Sequence, residues 1–508
     1  MRLDGRRSFL VAGAALASLA SCGDDLVPDL YTPGEFDSSA MFETRCETPR
    51  DGLDVVTGAP FADRAGTSEE EKLWLRSWTH ELYLWYREVP DADPADYSTP
   101  VDYFEVLKTT EQTPSGRPRD QFHFTYATDE WEALSISGVS AGYGATFAVV
   151  EPKPPRQVVV AYNEPGSAAA DAGLDRGAEI LTIDGVSVVD GNSATLNAGL
   201  VPADVGETHT FEVLDLGASE PRTISLTSAS VESVPVQRVE VLDTPDGPVG
   251  YLLFNDHIAT AEQALVDAVT DLAAAGVSDL VLDIRYNGGG FIAIASEVAY
   301  EIAGPDATRD QTFEQLVFND QYPGANPFSG QPIEPERFLD ETVLQDPPDS
   351  NVALPSLNLP RVFILTGPGT CSASEAIMNG LRGIDIDVVQ IGAATCGKPY
   401  GFFPRDNCGT TYFSIQFQGV NAKGFGDYAD GFVPAGDGAA GLPGCDVDDD
   451  FTHALGDPDE ARLAAALHYR EQGTCPPAAG PRGAARPLAA VDGRVIKSIW
   501  QQNRILGR

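Results

Sequence analysis

The chain has 508 residues, enough for two or three domains with a sizeable core. Its formal charge is −43, from 33 basic against 76 acidic residues, and that sign excludes nucleic acid as an expected ligand because phosphates would be repelled. An apolar fraction of 43% is that of a globular protein, not a disordered one, and nothing resembles a multi-span membrane protein.

The first 22 residues form a targeting segment. Arg6-Arg7-Ser8-Phe9-Leu10 is a twin-arginine start, and residues 11–20 are an apolar core of signal-peptide length. Leu19-Ala20-Ser21-Cys22 resembles the lipobox of bacterial lipoproteins, which implies a lipid on Cys22 and a membrane anchor. A plain signal peptide cut near Ala20 is the alternative, and both readings place the protein outside the cytoplasm. Residues 23–66 are polar, rich in Gly, Pro and Asp and without period, so a flexible tether is expected there.

A helical pattern starts at Ser68. Glu69, Glu70 and Glu71 acidify the first turn, and Leu73, Trp74, Trp78, Leu82 and Trp85 follow at helical spacing as a core stripe. With a second short helix over 100–107, residues 67–133 read as a small helical domain.

Residues 134–233 read as a β-rich domain. Gly142-Tyr143-Gly144-Ala145 is a glycine loop running into a strand. Further on, Gly166-Ser167-Ala168-Ala169-Ala170-Asp171-Ala172-Gly173-Leu174 precedes Gly177-Ala178-Glu179-Ile180-Leu181-Thr182-Ile183-Asp184-Gly185. The pattern resembles the PDZ domains of bacterial proteases. That resemblance implies peptide binding by strand addition, with the backbone of Gly142, Tyr143, Gly144 and Ala145 facing a peptide carboxylate.

Residues 234–475 alternate strands and helices, as in an α/β domain. Strands are expected at 251–254, 280–284, 362–365, 388–391 and 412–417, and helices at 261–275, 292–302 and 457–469. Residues 304–360, rich in Pro, Asp and Asn, are expected to be an insertion without clear elements. Residues 476–508 read as a linker and a basic tail carrying Arg494, Lys497, Arg504 and Arg508.

Six cysteines follow Cys22, an even number that suggests disulfides in an exported protein, although six allow fifteen pairings. Cys396–Cys408 and Cys445–Cys475 are the expected pairs. No metal or other cofactor is expected, because CxxC is absent and the histidines lack ligand spacing.

The chemistry concentrates in 370–398. The run 362–365 leads through Gly367-Pro368-Gly369 to Cys371-Ser372-Ala373-Ser374-Glu375, after which Ala376, Ile377, Gly380 and Leu381 mark a helix face. A serine at a helix start suggests a nucleophile, and Lys398 in Thr395-Cys396-Gly397-Lys398 suggests its base. The plain alternative is that Ser372 and Glu375 only cap a helix. No histidine stands in a motif with Ser372, and a lysine can act as base if burial disfavours its charge. Upstream, Asn287-Gly288-Gly289-Gly290 follows a strand and offers backbone N–H groups for an oxyanion, while Asp283 and Arg285 read as a bracing ion pair.

These three stretches, in this order behind a PDZ-like domain, resemble the carboxyl-terminal processing (tail-specific) serine proteases over about residues 68–470. The resemblance implies a multidomain α+β protein with a crotonase-like ββα protease core. It implies Ser372 as nucleophile and Lys398 as general base. Gly289 or its neighbour Gly290, together with Ala373, would be the oxyanion donors. Two departures stand out: Phe402 occupies the place of a glutamine that orients the lysine, and Cys371 and Cys396 flank the site, where pairing with each other would clamp it. The expected activity is endopeptidase cleavage of exported protein or peptide substrates. The alternatives are a peptide-binding lipoprotein of the same fold without catalysis, and an acyl-thioester enzyme of the crotonase type.

Overall fold

The computed structural model describes residues 31–54, 58–151, 153–344, 351–436 and 438–477, and the backbone of two short strands at Arg494–Ile496 and Arg504–Ile505. The expected leader and Cys22 lie outside the described residues. Among the described residues no helix is long and apolar enough to cross a membrane.

Helix α1 (Ser68–Leu82) starts where the Thr67 side chain accepts from the Glu70 N–H, with Glu69, Glu70 and Glu71 complementing the helix dipole. Its aromatic stripe is core: Leu73, Trp74, Leu75 and Trp78 pack with Phe42, Tyr103, Phe104 and Tyr412. Helix α2 spans Pro100–Phe104. The expected tether is corrected from residue 31 onward. Arg45–Cys46 pairs with Arg64–Ala65, Cys46 is bonded to Cys408, and Arg50 bridges Asp63 and Asp406. Polar composition concealed this segment because many of its attachments are ionic or covalent and only isolated aromatics such as Phe42 reach the core.

After α3 (Thr128–Ser137) comes the β-rich region. Its sheet runs in the order Arg222–Thr227, Thr208–Leu214, Glu179–Ile183, Gln157–Asn163, Ala145–Glu151, with Arg494–Ile496 added at the outer edge. Short helix α4 (Ala168–Asp171) and helix α5 (Ser193–Leu200) accompany it, around a core that includes Phe147, Val160, Ile180 and Phe211.

The central sheet has six strands in the order Val236–Leu242, Val249–Phe254, Asp279–Asp283, Arg361–Thr366, Asp387–Gly392, Gly444–Asp446. The first pair is antiparallel and the others are parallel. Alternation along the strands sends Leu252, Leu282, Ile364 and Val388 to one face, under α6 (Ala261–Ala275), α7 (Ile292–Thr308) and α8 (Ala373–Gly383). Tyr251, Leu253, Phe363 and Ile391 meet α9 (Ala461–Gln472) and the strands of the β-rich region on the other. With both faces covered, these strands read as continuous apolar runs.

Three expectations change. Residues 304–360 are not without elements: α7 continues to Thr308 across a break at Gly304, and Thr312–Phe318 pairs with Phe417–Val420 in a second sheet. The strand expected at 412–417 is two strands, Thr410–Phe413 and Phe417–Val420, in different sheets. Helix α9 starts at Ala461 because Glu460 caps it, its side chain accepting from the Leu463 N–H.

Candidate active site

Three parallel strands end side by side, and the chain segments leaving their carboxyl ends build one site, the usual location in such sheets. Asp279–Asp283 leads to the glycine loop, Arg361–Thr366 to Ser372, and Asp387–Gly392 to Lys398.

Ser372 is fully buried and sits at φ 58° and ψ −114°, a left-handed backbone that an L-residue rarely adopts. Thr370 Oγ1 secures the turn before it, donating to the Ile284 carbonyl at 2.8 Å and accepting from the Gly367 N–H at 3.0 Å. Only the glutamate half of a capping arrangement is used. The Ser372 N–H donates to Glu375 Oε2 at 2.9 Å, while the Ser372 hydroxyl has no hydrogen-bond partner among the described residues.

Glu375 joins the serine turn to the lysine turn. Besides Ser372, its buried carboxylate accepts from the N–H groups of Gly397 at 2.9 Å and Lys398 at 2.8 Å, and from Thr395 Oγ1 at 2.5 Å. Burial raises its pKa, and these bonds oppose the rise. The expected Cys396–Cys408 pair is corrected: Cys371 is bonded to Cys396, and Cys408 to Cys46. Closeness in sequence misled, because the intervening chain sends Tyr400–Gly401 and Arg405–Asn407 into different sheets. Cys445–Cys475 is as expected.

Lys398 is fully buried, its Nζ 4.4 Å from the ring centre of Phe402 and 4.8 Å from that of Phe122. Phe402 thus meets the lysine through its ring face, where a glutamine would offer an amide.

The glycine loop is held by groups that sequence reasoning did not single out. Asn287 donates from Nδ2 to the Phe254 carbonyl at 3.0 Å, while its Oδ1 accepts from the Gly289 N–H at 3.0 Å and lies 2.9 Å from His257 Nδ1. The Gly289 N–H is therefore already engaged, which disfavours it as an oxyanion donor relative to Gly290. Gly290 has φ 137°, and a Cβ there would stand 2.3 Å from the His257 carbonyl oxygen, so only glycine fits. Ala373 is the first residue of α8, in the turn whose N–H groups lack intrahelical acceptors. His257 was legible only as a polar residue just past a strand end at the same sheet edge. Beneath the loop, buried Arg285 binds Asp283 at 2.9 Å, Glu460 at 2.7 Å and Asp449 at 2.9 Å, so the expected ion pair is part of a larger network.

Gly142, Tyr143, Gly144 and Ala145 lie apart from Ser372, in the β-rich region. They line a groove of about 460 Å³ that also includes Phe147, Leu200 and Val201. Gly144 has φ +76°, and a Cβ there would meet Ser167 Cβ at 2.2 Å.

Residues 248–402 match the family model for peptidase family S41, and residues 70–126 match the peptidase S41 N-terminal domain. Over 173 residues the chain is 30% identical to a carboxyl-terminal-processing protease of Picosynechococcus, covering 33% of this chain and 39% of that protein. It is 34% identical over 157 residues to a chloroplastic C-terminal processing peptidase of Tetradesmus obliquus, covering 28% and 33%. The chain thus spans well under half the length of these curated relatives. Among solved structures, a candidate S41 protease of Bacteroides fragilis aligns with a TM-score of 0.56 at 22% identity, covering 79% of this chain and 97% of that one, which establishes a shared fold. Residues 70–126 and 248–402 are thus similar to peptidase family S41, over somewhat less than half of the chain.

Proposed function

We propose that the protein is a serine endopeptidase that cleaves protein or peptide substrates through Ser372 and Lys398. The observation that carries this reading is the Glu375 carboxylate, which ties the strained Ser372 turn and the buried Lys398 turn together beside the glycine loop. The Ser372 oxygen attacks the substrate carbonyl while Lys398 Nζ takes the hydroxyl proton. The N–H groups of Gly290 and Ala373 receive the oxyanion. Lys398 then gives its proton to the leaving amine, and water hydrolyses the acyl-enzyme. The PDZ-like groove at Gly142–Ala145 binds the carboxyl-terminal part of the substrate. The leader and Cys22 support an exported, lipid-anchored protein of the cell envelope.

Ser372→Ala and Lys398→Ala are each expected to abolish cleavage of a tagged peptide while leaving thermal unfolding cooperative. Undiminished cleavage by either variant would refute the pair. A second reading, a non-catalytic peptide-binding protein, is favoured by Phe402 and by the Ser372 hydroxyl, which has no hydrogen-bond partner among the described residues. A serine-reactive phosphonate separates the two: labelling at Ser372 supports the peptidase, and no labelling supports the binding protein.

A further inference from the structure

The basic tail touches both places that a peptide substrate would occupy. Arg494–Ile496 extends the β-rich sheet as an antiparallel strand beside Phe147, Ala148 and Val149, immediately after the glycine loop at 142–145. Farther on, Arg504–Ile505 pairs in parallel with Gly290 and Phe291, and lies next to Tyr400–Gly401 two residues after Lys398.

The backbone pattern at Gly290 makes the second contact specific. His257 already takes that strand's other edge, its N–H donating to the Gly289 carbonyl at 3.2 Å and its carbonyl accepting from the Phe291 N–H at 2.9 Å. Gly290's own N–H and C=O point the opposite way, and they are what remains for pairing with Arg504. The group placed to receive an oxyanion is therefore the group that faces the tail.

We infer that the strands Arg494–Ile496 and Arg504–Ile505 act together as an intramolecular peptide ligand, one at the sheet edge at 147–149 and the other at the glycine loop, and compete with substrate at both. The inference rests on the proposed reading of these two sites as one peptide path. Charge favours the docking. Residues 494–508 carry Arg494, Lys497, Arg504 and Arg508 and no acidic residue, in a chain of net charge −43. Tethering favours it too. Cys475 is bonded to Cys445 in the central sheet, and only eighteen residues separate it from Arg494. A tether of that length in sequence corresponds to an effective concentration on the order of millimolar. A competing peptide must therefore bind well or displace the tail at high concentration.

The test uses the full chain with Ser372→Ala and a recognition site for a site-specific protease introduced within 478–490. After folding, the linker is cut and the released peptide is removed by gel filtration at high salt. A fluorescent synthetic peptide of residues 494–508 is then titrated into cut and uncut protein. The cut form should bind at least about tenfold more tightly. Uncut Val495→Pro, which removes a backbone donor from the added strand, should also bind more tightly than its parent. Equal affinities in cut and uncut protein, or no binding to either, would overturn the inference. Hydrolysis by the same chain with Ser372 intact keeps the two proposals separable. If the peptidase reading fails, neither form cleaves yet the binding difference persists. If the tail inference fails, cleavage is present and unchanged by the cut.

Discussion

Glu375 carries more of the site's geometry than Ser372 or Lys398, the pair proposed to react. A single buried carboxylate accepts from three backbone N–H groups and one hydroxyl, drawn from both sides of the site. Glu375→Gln keeps the size but replaces one acceptor oxygen with a donor, so at least one of these N–H groups must face another donor. Losing one such buried bond costs about 1–3 kcal/mol, or about 10- to 100-fold in rate if the loss falls on the assembled site. The expected result is a fall in kcat of that order with KM nearly unchanged. A change confined to KM would show that Glu375 serves binding instead. The sequence displayed Ser372, Glu375 and Lys398 in short motifs, but it could not display what Glu375 bonds to. Three of the four donors lie 20 or more positions away, at Thr395, Gly397 and Lys398. His257 and the bracing role of the Asn287 side chain were hidden for the same reason, since their contact spans 30 residues.

At the scale of elements, the central strands were legible because both of their faces are buried, leaving apolar runs at 280–284, 362–365 and 388–391. Thr312–Phe318 carried no comparable signal, because buried Glu314 and half-buried Gln315 interrupt its apolar pattern. The glycine loop is supported from below by Arg285, whose guanidinium spans Asp283, Asp449 and Glu460 with no exposure of its side chain. Arg176 brings the β-rich region into the same cluster, bonding Asp449 at 2.8 Å and the Tyr286 hydroxyl at 2.7 Å. Arg285→Met removes the cation from buried Asp283 and Glu460 and leaves Asp449 to Arg176. A destabilisation of about 3–5 kcal/mol is expected, read as a lower midpoint in urea. An unchanged midpoint would mean that the carboxylates re-pair or take up protons without cost.

Over the whole molecule, buried acids set how stability follows pH. Burial, reinforced by Glu262, pushes the Glu297 carboxyl up to about 10, and burial raises Glu301 as well. The folded protein therefore keeps a proton on Glu297 that the unfolded chain releases near its ordinary value of 4.5. The unfolded state binds fewer protons between these two values, so stability falls as pH rises across that window. Glu297→Gln fixes the neutral form. It should raise Tm at pH 8 by about 2–4 °C and leave it unchanged at pH 4. An equal gain at both would assign the effect to packing.

The bond between Cys46 and Cys408 closes a ring over 362 positions of sequence that contains α1, the β-rich region and the turns at Ser372 and Lys398. A mechanical load applied between a point ahead of Cys46 and one beyond Cys408 passes through the sulfur bridge and bypasses everything in between. Stretching the chain by its two ends would therefore extend only the flanking segments until the bridge is reduced. Single-molecule pulling should show a contour length gain of about 120–130 nm appearing only with a reductant, at roughly 3.3–3.6 Å for each residue released.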